Sequence, residues 1–284
     1  MNQAKQLRAL IAQGNLITAP GVFDGISALL AKQAGFNVLY ASGGAIARSH
    51  GYPDIGLLTM TEVCSVIGNI VQVSQLPVIA DADTGFGNAI NVQRMIKEYE
   101  RLGVAGLHME DQTFPKRCGH LDDKTLIPME EMCHKIKVAC FSRENPDLMI
   151  IARTDAIAVE GFASAIQRAK AYLAAGADMI FVEAPETIEQ MAEIAKQISQ
   201  PKLLNLFIGG KTPMVESAQL QAWGYNVVII PSDLQRAAIK AMQNTLSAIK
   251  ETGNSEKLID QMTSFKEREV IVETKRYLDL DKMN

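Results

Sequence analysis

The 284-residue chain has no apolar run long enough to cross a membrane. Its longest, Leu148–Ala152 and Val227–Pro231, are the size of β-strands, whereas a spanning helix needs about 20 such residues. Basic charge is not in excess either. The 28 Lys and Arg against 32 Asp and Glu leave a formal charge of −4, with no polybasic cluster, so neither nucleic acid nor a membrane is expected as a partner. No CxxC pair occurs among Cys64, Cys118, Cys133 and Cys140; they read as free thiols of a reducing, cytoplasmic compartment. Cys133 and Cys140, seven apart in a helical pattern, are expected on one buried helix face. The amino terminus lacks an apolar core followed by a small-residue cleavage site, and reads as an amphipathic helix rather than a secretory leader. No GxGxxG follows the first strand, which argues against an open dinucleotide-binding sheet.

What is present is the composition of a globular protein, 48% hydrophobic and 21% charged. Eight short apolar segments alternate with helical patterns: Leu16–Ala19, Val38–Ser42, Val78–Asp83, Gly106–Asp111, Met149–Asp155, Met179–Ala184, Leu203–Phe207 and Val227–Ser232. Most lack strict alternation, which suits strands covered on both faces. Helices are predicted over, for example, Asn88–Leu102 and Gly161–Ala175, with Gly35, Gly103, Gly176 and Gly224 placed as their stops. Eight such units predict an α/β fold, a closed (β/α)8 barrel filling one domain over 1–284, with residues 233–284 as a helical carboxy-terminal extension. The connections after the second and fourth strands exceed the roughly 30 residues of a minimal unit. The second of them, QTFPKRCGHLDDKTLIP, has the content of a mobile lid.

Polar residues gather at the predicted strand ends: Tyr40, Ser42, Asp81, Asp83, His108, Glu110, Arg153, Asp155, Glu183 and Asn205. Residues two apart on a strand share a face, and a packed barrel does not tolerate this density of rim polarity without a ligand to organise it. Asp81 and Asp83 in IADADTGFG, with Glu110 and Glu183 nearby, form an all-oxygen acidic set that suits Mg2+, or Mn2+, better than zinc. Ser42-Gly43-Gly44 either presents backbone N–H groups to an anion or makes a turn. Asp54, in GYPD, is either an Asx-type stabiliser or a site carboxylate. In KRCGH, the flanking Lys116, Arg117 and His120 are expected to lower the pKa of Cys118.

Taken together, APGVFDGISALLA, YASGG, GYPD, DADTGFG, GLHMEDQ, KRCGH, IARTDA and FVEAP resemble the isocitrate lyase/phosphoenolpyruvate mutase superfamily over nearly the whole chain. Within it they look most like the short-chain lyases of the 2-methylisocitrate and 2,3-dimethylmalate type. The resemblance implies a Mg2+-dependent barrel with a gating loop, whose eighth helix is exchanged between subunits of a homotetramer, a dimer of dimers. It implies that Asp81, Asp83 and Glu110 hold the metal. Ser42, Gly43 and Gly44 would bind the pyruvate-like half of a small carboxylate substrate, and Arg153, Asn205, Gly119 and His120 the other half, with Asp54 counted on the substrate side. Cys118 would protonate a carbanion as general acid and Arg153 would stabilise charge. The base stays open between Tyr40, Glu183 and a metal-bound water. The implied activity is C–C cleavage of a 2-hydroxy di- or tricarboxylate to pyruvate and a second carboxylate. The alternative is oxaloacetate decarboxylation or hydrolysis, or mutase chemistry, in the same pocket. Two departures bear on substrate. Phe265, with Arg268 one turn off, stands where tricarboxylate-specific members carry an arginine, which favours a dicarboxylate such as a 2,3-dialkylmalate. Pro231, with Ser232 after it, stands where oxaloacetate-hydrolysing relatives place a serine, which disfavours hydrolysis.

Overall fold

Segments rich in Ile, Val and Leu can bury both faces only if something covers each side. In the computed structural model, which describes residues 2–121 and 123–283, a ring achieves this. Strands β1 (Ile17–Val22), β2 (Leu39–Ala41), β3 (Val78–Asp81), β4 (Gly106–Glu110), β5 (Met149–Thr154), β6 (Met179–Val182), β7 (Lys202–Asn205) and β8 (Val227–Ile230) form a closed barrel in sequence order. All neighbours are parallel, and the ring closes with Ile17 opposite Val227 and Pro20 opposite Ile230. β1 runs three residues past its predicted end. Pro20-Gly21 reads locally as a turn, but a Cβ on Gly21 would lie 2.3 Å from the Pro231 carbonyl oxygen. Glycine is what lets β1 continue against the end of β8.

The first helix, α1 (Gln3–Ala12), buries Ala4, Leu7 and Ile11 on one stripe. These join Val38, Ile79, Met149, Met179 and Leu203 in a cluster inside the ring, and so plug its amino-terminal end. A second, larger cluster lies between the sheet and the surrounding helices α2 (Gly25–Gln33), α4 (Met60–Ser74), α5 (Ala89–Leu102), α6 (Met129–Ser142), α8 (Phe162–Ala174), α9 (Ile188–Gln197) and α10 (Ser217–Ala222). α5 shows the local logic. Val92, Met95, Ile96 and Tyr99 are buried at helical spacing, Asn88 and Asn91 form a capping box, and Gly103 closes the helix at φ 81°. On α6 the buried stripe is Met132, Lys135, Ile136 and Ala139. Cys133 and Cys140 sit at its half-buried margin, not on the buried face predicted from their spacing; all four cysteines are free.

The two long connections hold what the rim needs. After β2 comes the short helix α3 (Gly43–Ser49), and after β5 another, α7 (Ala156–Glu160). Among the described residues of 111–128, after β4, there is no helix, and one antiparallel bridge joins Gln112 to Leu126. Beyond β8 the chain continues as α11 (Asp233–Thr252), a 3-10 turn (Glu256–Gln261), α12 (Phe265–Ile271) and α13 (Thr274–Leu280). In α11 only Gln235 and Ala248 are buried, and nothing is buried in the three elements after it. Met242, Leu246, Phe265, Val270 and Leu278 stand exposed along this tail. Among the described residues no helix is long and apolar enough to cross a membrane.

Candidate active site

A cavity of about 340 Å3 opens at the carboxyl ends of the strands, where barrel enzymes place their chemistry. Tyr40, Ser42, Gly44, Asp54, Asp81, Cys118, Gly119, His120, Arg153, Glu183 and Asn205 line it. Three other predicted residues stand directly behind this wall. Gly43 touches Asp81, since a Cβ there would lie 2.6 Å from Asp81 Oδ2. Asp83 is reached through Lys116 Nζ at 2.8 Å, and Glu110 through Arg153 Nη1 at 3.1 Å.

Arg153, next to last in β5, is a buried cation among three carboxylates. Its Nε and Nη2 donate to Asp155 Oδ2 and Oδ1 at 2.9 and 3.0 Å, and Glu183 Oε2 lies 3.5 Å from Nε. The fork holds the planar group in one orientation. Glu183, at the end of β6, also meets His120 Nε2 at 3.0 Å and accepts from Asn205 Nδ2 at 3.2 Å. Burial opposes its charge, but Arg153 and the His120 hydrogen bond outweigh that and bring its pKa to about 2. Glu183 is therefore an ionised carboxylate.

On the opposite side, the Tyr40 hydroxyl donates to Asp81 Oδ2 at 3.3 Å and lies 2.9 Å from His108 Nε2. Burial, then the Asp81 charge, push the phenol well above its ordinary pKa, so Tyr40 is a neutral hydroxyl. Burial also lowers the pKa of His108, which leaves a neutral imidazole stacked on Tyr40. The Asp83 backbone N–H donates to Asp81 Oδ1 at 3.0 Å, and Asp83 adopts a left-handed φ of 45°. Burial raises the Asp83 pKa to about 6, with Lys116 opposing and Asp81 and Asp54 adding to the rise.

The loop after β4 lies over this wall and corrects one expectation. The pKa of Cys118 is raised, not lowered: burial is the main cause, and Asp54 adds to it against a backbone hydrogen bond and Arg153. The cations beside it in sequence point elsewhere. The Lys116 ammonium lies between Asp54 and Asp83, Arg117 faces Asp123 at 3.5 Å near the surface, and His120 turns to Glu183. Asp54 thus lies on the cavity wall as an ion-pair partner of Lys116. Ser42 is the N-cap of α3, its hydroxyl accepting from the Ala45 N–H.

Of Asp54, Asp81, Asp83 and Glu110, the first and third pair with Lys116, while Glu110 faces Arg153, a guanidinium already forked onto Asp155. Glu110 Oε1 has no hydrogen-bond partner, and Glu110 Oε2 and Asp83 Oδ1 have only their ion-pair contacts to Arg153 and Lys116; burial drives the Glu110 pKa well up. This surplus of buried oxygen acceptors fits a hard divalent cation. The carboxylates are spread rather than converged: among the described residues no three acidic, His or Cys side chains already form a coordinating group.

Sequence reading missed several wall residues. Arg48, from α3, and Arg236, in the first turn of α11, both line the cavity, as does Phe207; Ser232, singled out in the sequence beside Pro231, lines it too. Arg236 Nη1 donates to the Ile208 carbonyl. Ser232 Oγ is buried without a partner. Arg48 carried a faint signal through its place in ASGGAIARS; Arg236 carried none.

The phosphoenolpyruvate phosphomutase family model matches residues 7–250. The chain is 44% identical over 268 residues to 2,3-dimethylmalate lyase of Eubacterium barkeri, covering 94% of this chain and 93% of that one. It is 45% identical over 256 residues to 2-methylisocitrate lyase of Aeropyrum pernix, covering 90% and 82%. Among solved structures, phosphonopyruvate hydrolase complexed with oxalate and Mg2+ matches with a TM-score of 0.90 at 31% identity, covering 99% of this chain and 98% of that one.

Proposed function

This chain belongs to the phosphoenolpyruvate mutase/isocitrate lyase superfamily, and on that premise we propose that it is a Mg2+-dependent carbon–carbon lyase. It cleaves a 2-hydroxy dicarboxylate of the substituted-malate type to pyruvate and a second carboxylate. One observation carries this reading: a cysteine thiol kept protonated by burial lines the cavity beside an oriented guanidinium. That is the equipment for protonating a carbanion after C–C cleavage.

Ser42 and the backbone of Gly43 and Gly44 hold the half that becomes pyruvate; Arg153, Asn205, Gly119 and His120 hold the departing half. Loss of the hydroxyl proton comes first; Tyr40 is a neutral donor, and Glu183, ionised but with its pKa lowered to about 2, is a weak acceptor that orients Arg153 and His120. The C–C bond then breaks with its electron pair going to the departing half. Arg153 stabilises the charge that develops on that half's carboxylate, and Cys118 Sγ–H delivers the proton. The seated lid excludes water that would otherwise quench the carbanion. Asp81, Asp83 and Glu110 are the residues that would hold Mg2+, which supplies Lewis-acid stabilisation of negative charge on oxygen.

Arg236 on the wall favours a second reading, a tricarboxylate such as 2-methylisocitrate, whose extra carboxylate it could meet. Phe265 and Arg268 do not reach the cavity of their own barrel; Arg268 stacks on Phe265 and pairs with Glu269 at 2.8 Å. The unpaired Ser232 hydroxyl keeps oxaloacetate hydrolysis as a competing chemistry. A coupled pyruvate assay with substituted malates, 2-methylisocitrate and oxaloacetate, with and without Mg2+, separates these readings. Pyruvate from a malate is expected, and oxaloacetate loss without any such pyruvate would reject the lyase.

For the metal, Asp83→Ala is expected to abolish turnover and weaken Mg2+ binding by roughly ten-fold or more, read by calorimetric titration. Folding should survive with a loss of about 1–2 kcal/mol, because Lys116 keeps Asp54 as a partner but alanine is strained at the left-handed φ of position 83. Wild-type Mg2+ affinity in the variant would remove Asp83 from the site. For assembly, the exposed apolar tail supports a homotetramer built from helix-exchanging pairs. Light scattering at micromolar concentration should give a dimer or larger, and a chain ending after Ser232 should be insoluble; a wild-type monomer would contradict the exchange. Four free thiols suit a cytoplasmic setting.

A further inference from the structure

Among the described residues, three cationic or imidazole side chains of the lid, Lys116, His120 and Lys124, meet carboxylates outside it, and only two of them belong to the chemistry above. Lys116 is held by Asp54 and Asp83, and His120 by Glu183. Those carboxylates belong to or adjoin the residues that would hold the metal ion and the substrate. The third is Lys124, whose side chain is 1% exposed, although lysine is among the residues least often buried. Its ammonium donates to the Gly119 carbonyl and to Asp155 Oδ1, the latter at 3.1 Å.

Asp155 faces both ways. The same carboxylate that binds Lys124 takes the two-pronged hydrogen bond from Arg153. Its own position is fixed from behind. The Asp155 N–H donates to Asp111 Oδ1 at 2.9 Å, while Asp111 Oδ2 accepts from the Thr154 and Tyr172 hydroxyls, each at 2.7 Å. Asp155 is therefore part of the rigid barrel, and Lys124 is the partner that can leave it with the lid. When the lid lifts, Lys124 returns to water. When it closes, the ammonium is buried and must find its carboxylate, since an unpaired buried charge is strongly unfavourable. The seat is tight: a Cβ on Gly119 would lie 2.5 Å from Arg153 Nη2 and 2.6 Å from Glu183 Cγ. Displacing the Gly119 carbonyl thus displaces Cys118, its neighbour in the chain.

We propose that Lys124 is a positioning residue that latches the closed lid onto Asp155, fixing Cys118 over the bound substrate and offsetting the Asp155 charge that Arg153 would otherwise neutralise alone. Its effect on turnover rests on the lyase reading; the latch itself does not. The test uses the full-length Mg2+-supplemented protein with Lys124→Met and Lys124→Arg, and iodoacetamide as probe, with modified cysteines located by peptide mass mapping. In Lys124→Met, Cys118 should be alkylated about ten-fold faster or more, with Cys133 and Cys140 unchanged; Lys124→Arg should return it towards the wild-type rate. On the best substrate, kcat should fall by a similar factor, with KM changing less and the Arg variant recovering most of the loss. Unchanged Cys118 alkylation in Lys124→Met, or equal acceleration at all three thiols, would overturn the latch. Faster Cys118 alkylation with wild-type kcat would overturn the positioning role. If wild type cleaves no substrate, the lyase reading fails while the alkylation rates still decide the latch.

Discussion

Cys118→Ser is expected to lower kcat by about 10²- to 10⁴-fold while KM changes little. The substitution is nearly isosteric, and the groups that hold the substrate, Arg153, Asn205 and the Ser42-Gly43-Gly44 segment, are untouched. What is lost is an acid strong enough to protonate a carbanion near neutral pH, because a serine hydroxyl is far less acidic than a thiol. The raised pKa of Cys118 gives the pH dependence its sign. A general acid must be protonated, so wild-type kcat should fall only as pH rises through the thiol pKa, above the ordinary thiol range. That alkaline limb should vanish in Cys118→Ser. Iodoacetamide should inactivate the wild type, and product should protect it. A serine variant turning over at the wild-type rate would move decarboxylase or hydrolase chemistry ahead, since neither needs this donor.

Arg153 should prove the most costly position to change. Arg153→Met leaves Glu110, Asp155 and Glu183 buried around an apolar side chain, and all three lie within 3.5 Å of the guanidinium in the native chain. Removing one partner from a buried charge cluster costs about 3–5 kcal/mol, so urea unfolding should show a loss of that size together with undetectable turnover. Arg153→Lys separates the two effects. It keeps the charge, so most of the stability should return, but an ammonium cannot reproduce the fork onto Asp155, and kcat should stay at least roughly a hundred-fold down. A lysine variant near wild-type activity would mean that orientation of the guanidinium is irrelevant.

The barrel was legible because strands covered on both faces leave continuous apolar runs, and because caps such as Asn88 and Gly103 are local signals. Where local signals misled, a distant neighbour was responsible. Pro20-Gly21 ends nothing because β8 comes up against it. The site was legible wherever it sits on strand ends, since the two-residue period alone brings Tyr40, Asp81, Glu110, Arg153 and Glu183 to one rim. The lid was harder. Adjacency in KRCGH suggested cations around Cys118, yet Lys116 reaches across to Asp54 and Asp83 while Arg117 turns outward. No spacing in the sequence announces that Lys124 will bury itself on Asp155, or that Arg48 and Arg236 will meet at one cavity mouth, because those placements depend on how loops fold back over the ring.

The most direct test of C–C cleavage with protonation by the protein is proton NMR of the reaction run in D2O with Mg2+ and a 2,3-dialkylmalate. Pyruvate and the second carboxylate should appear in equal amounts, and the second carboxylate should carry one deuterium at the carbon that left pyruvate. Absence of pyruvate from every substituted malate and from 2-methylisocitrate, with oxaloacetate consumed instead, would contradict the account.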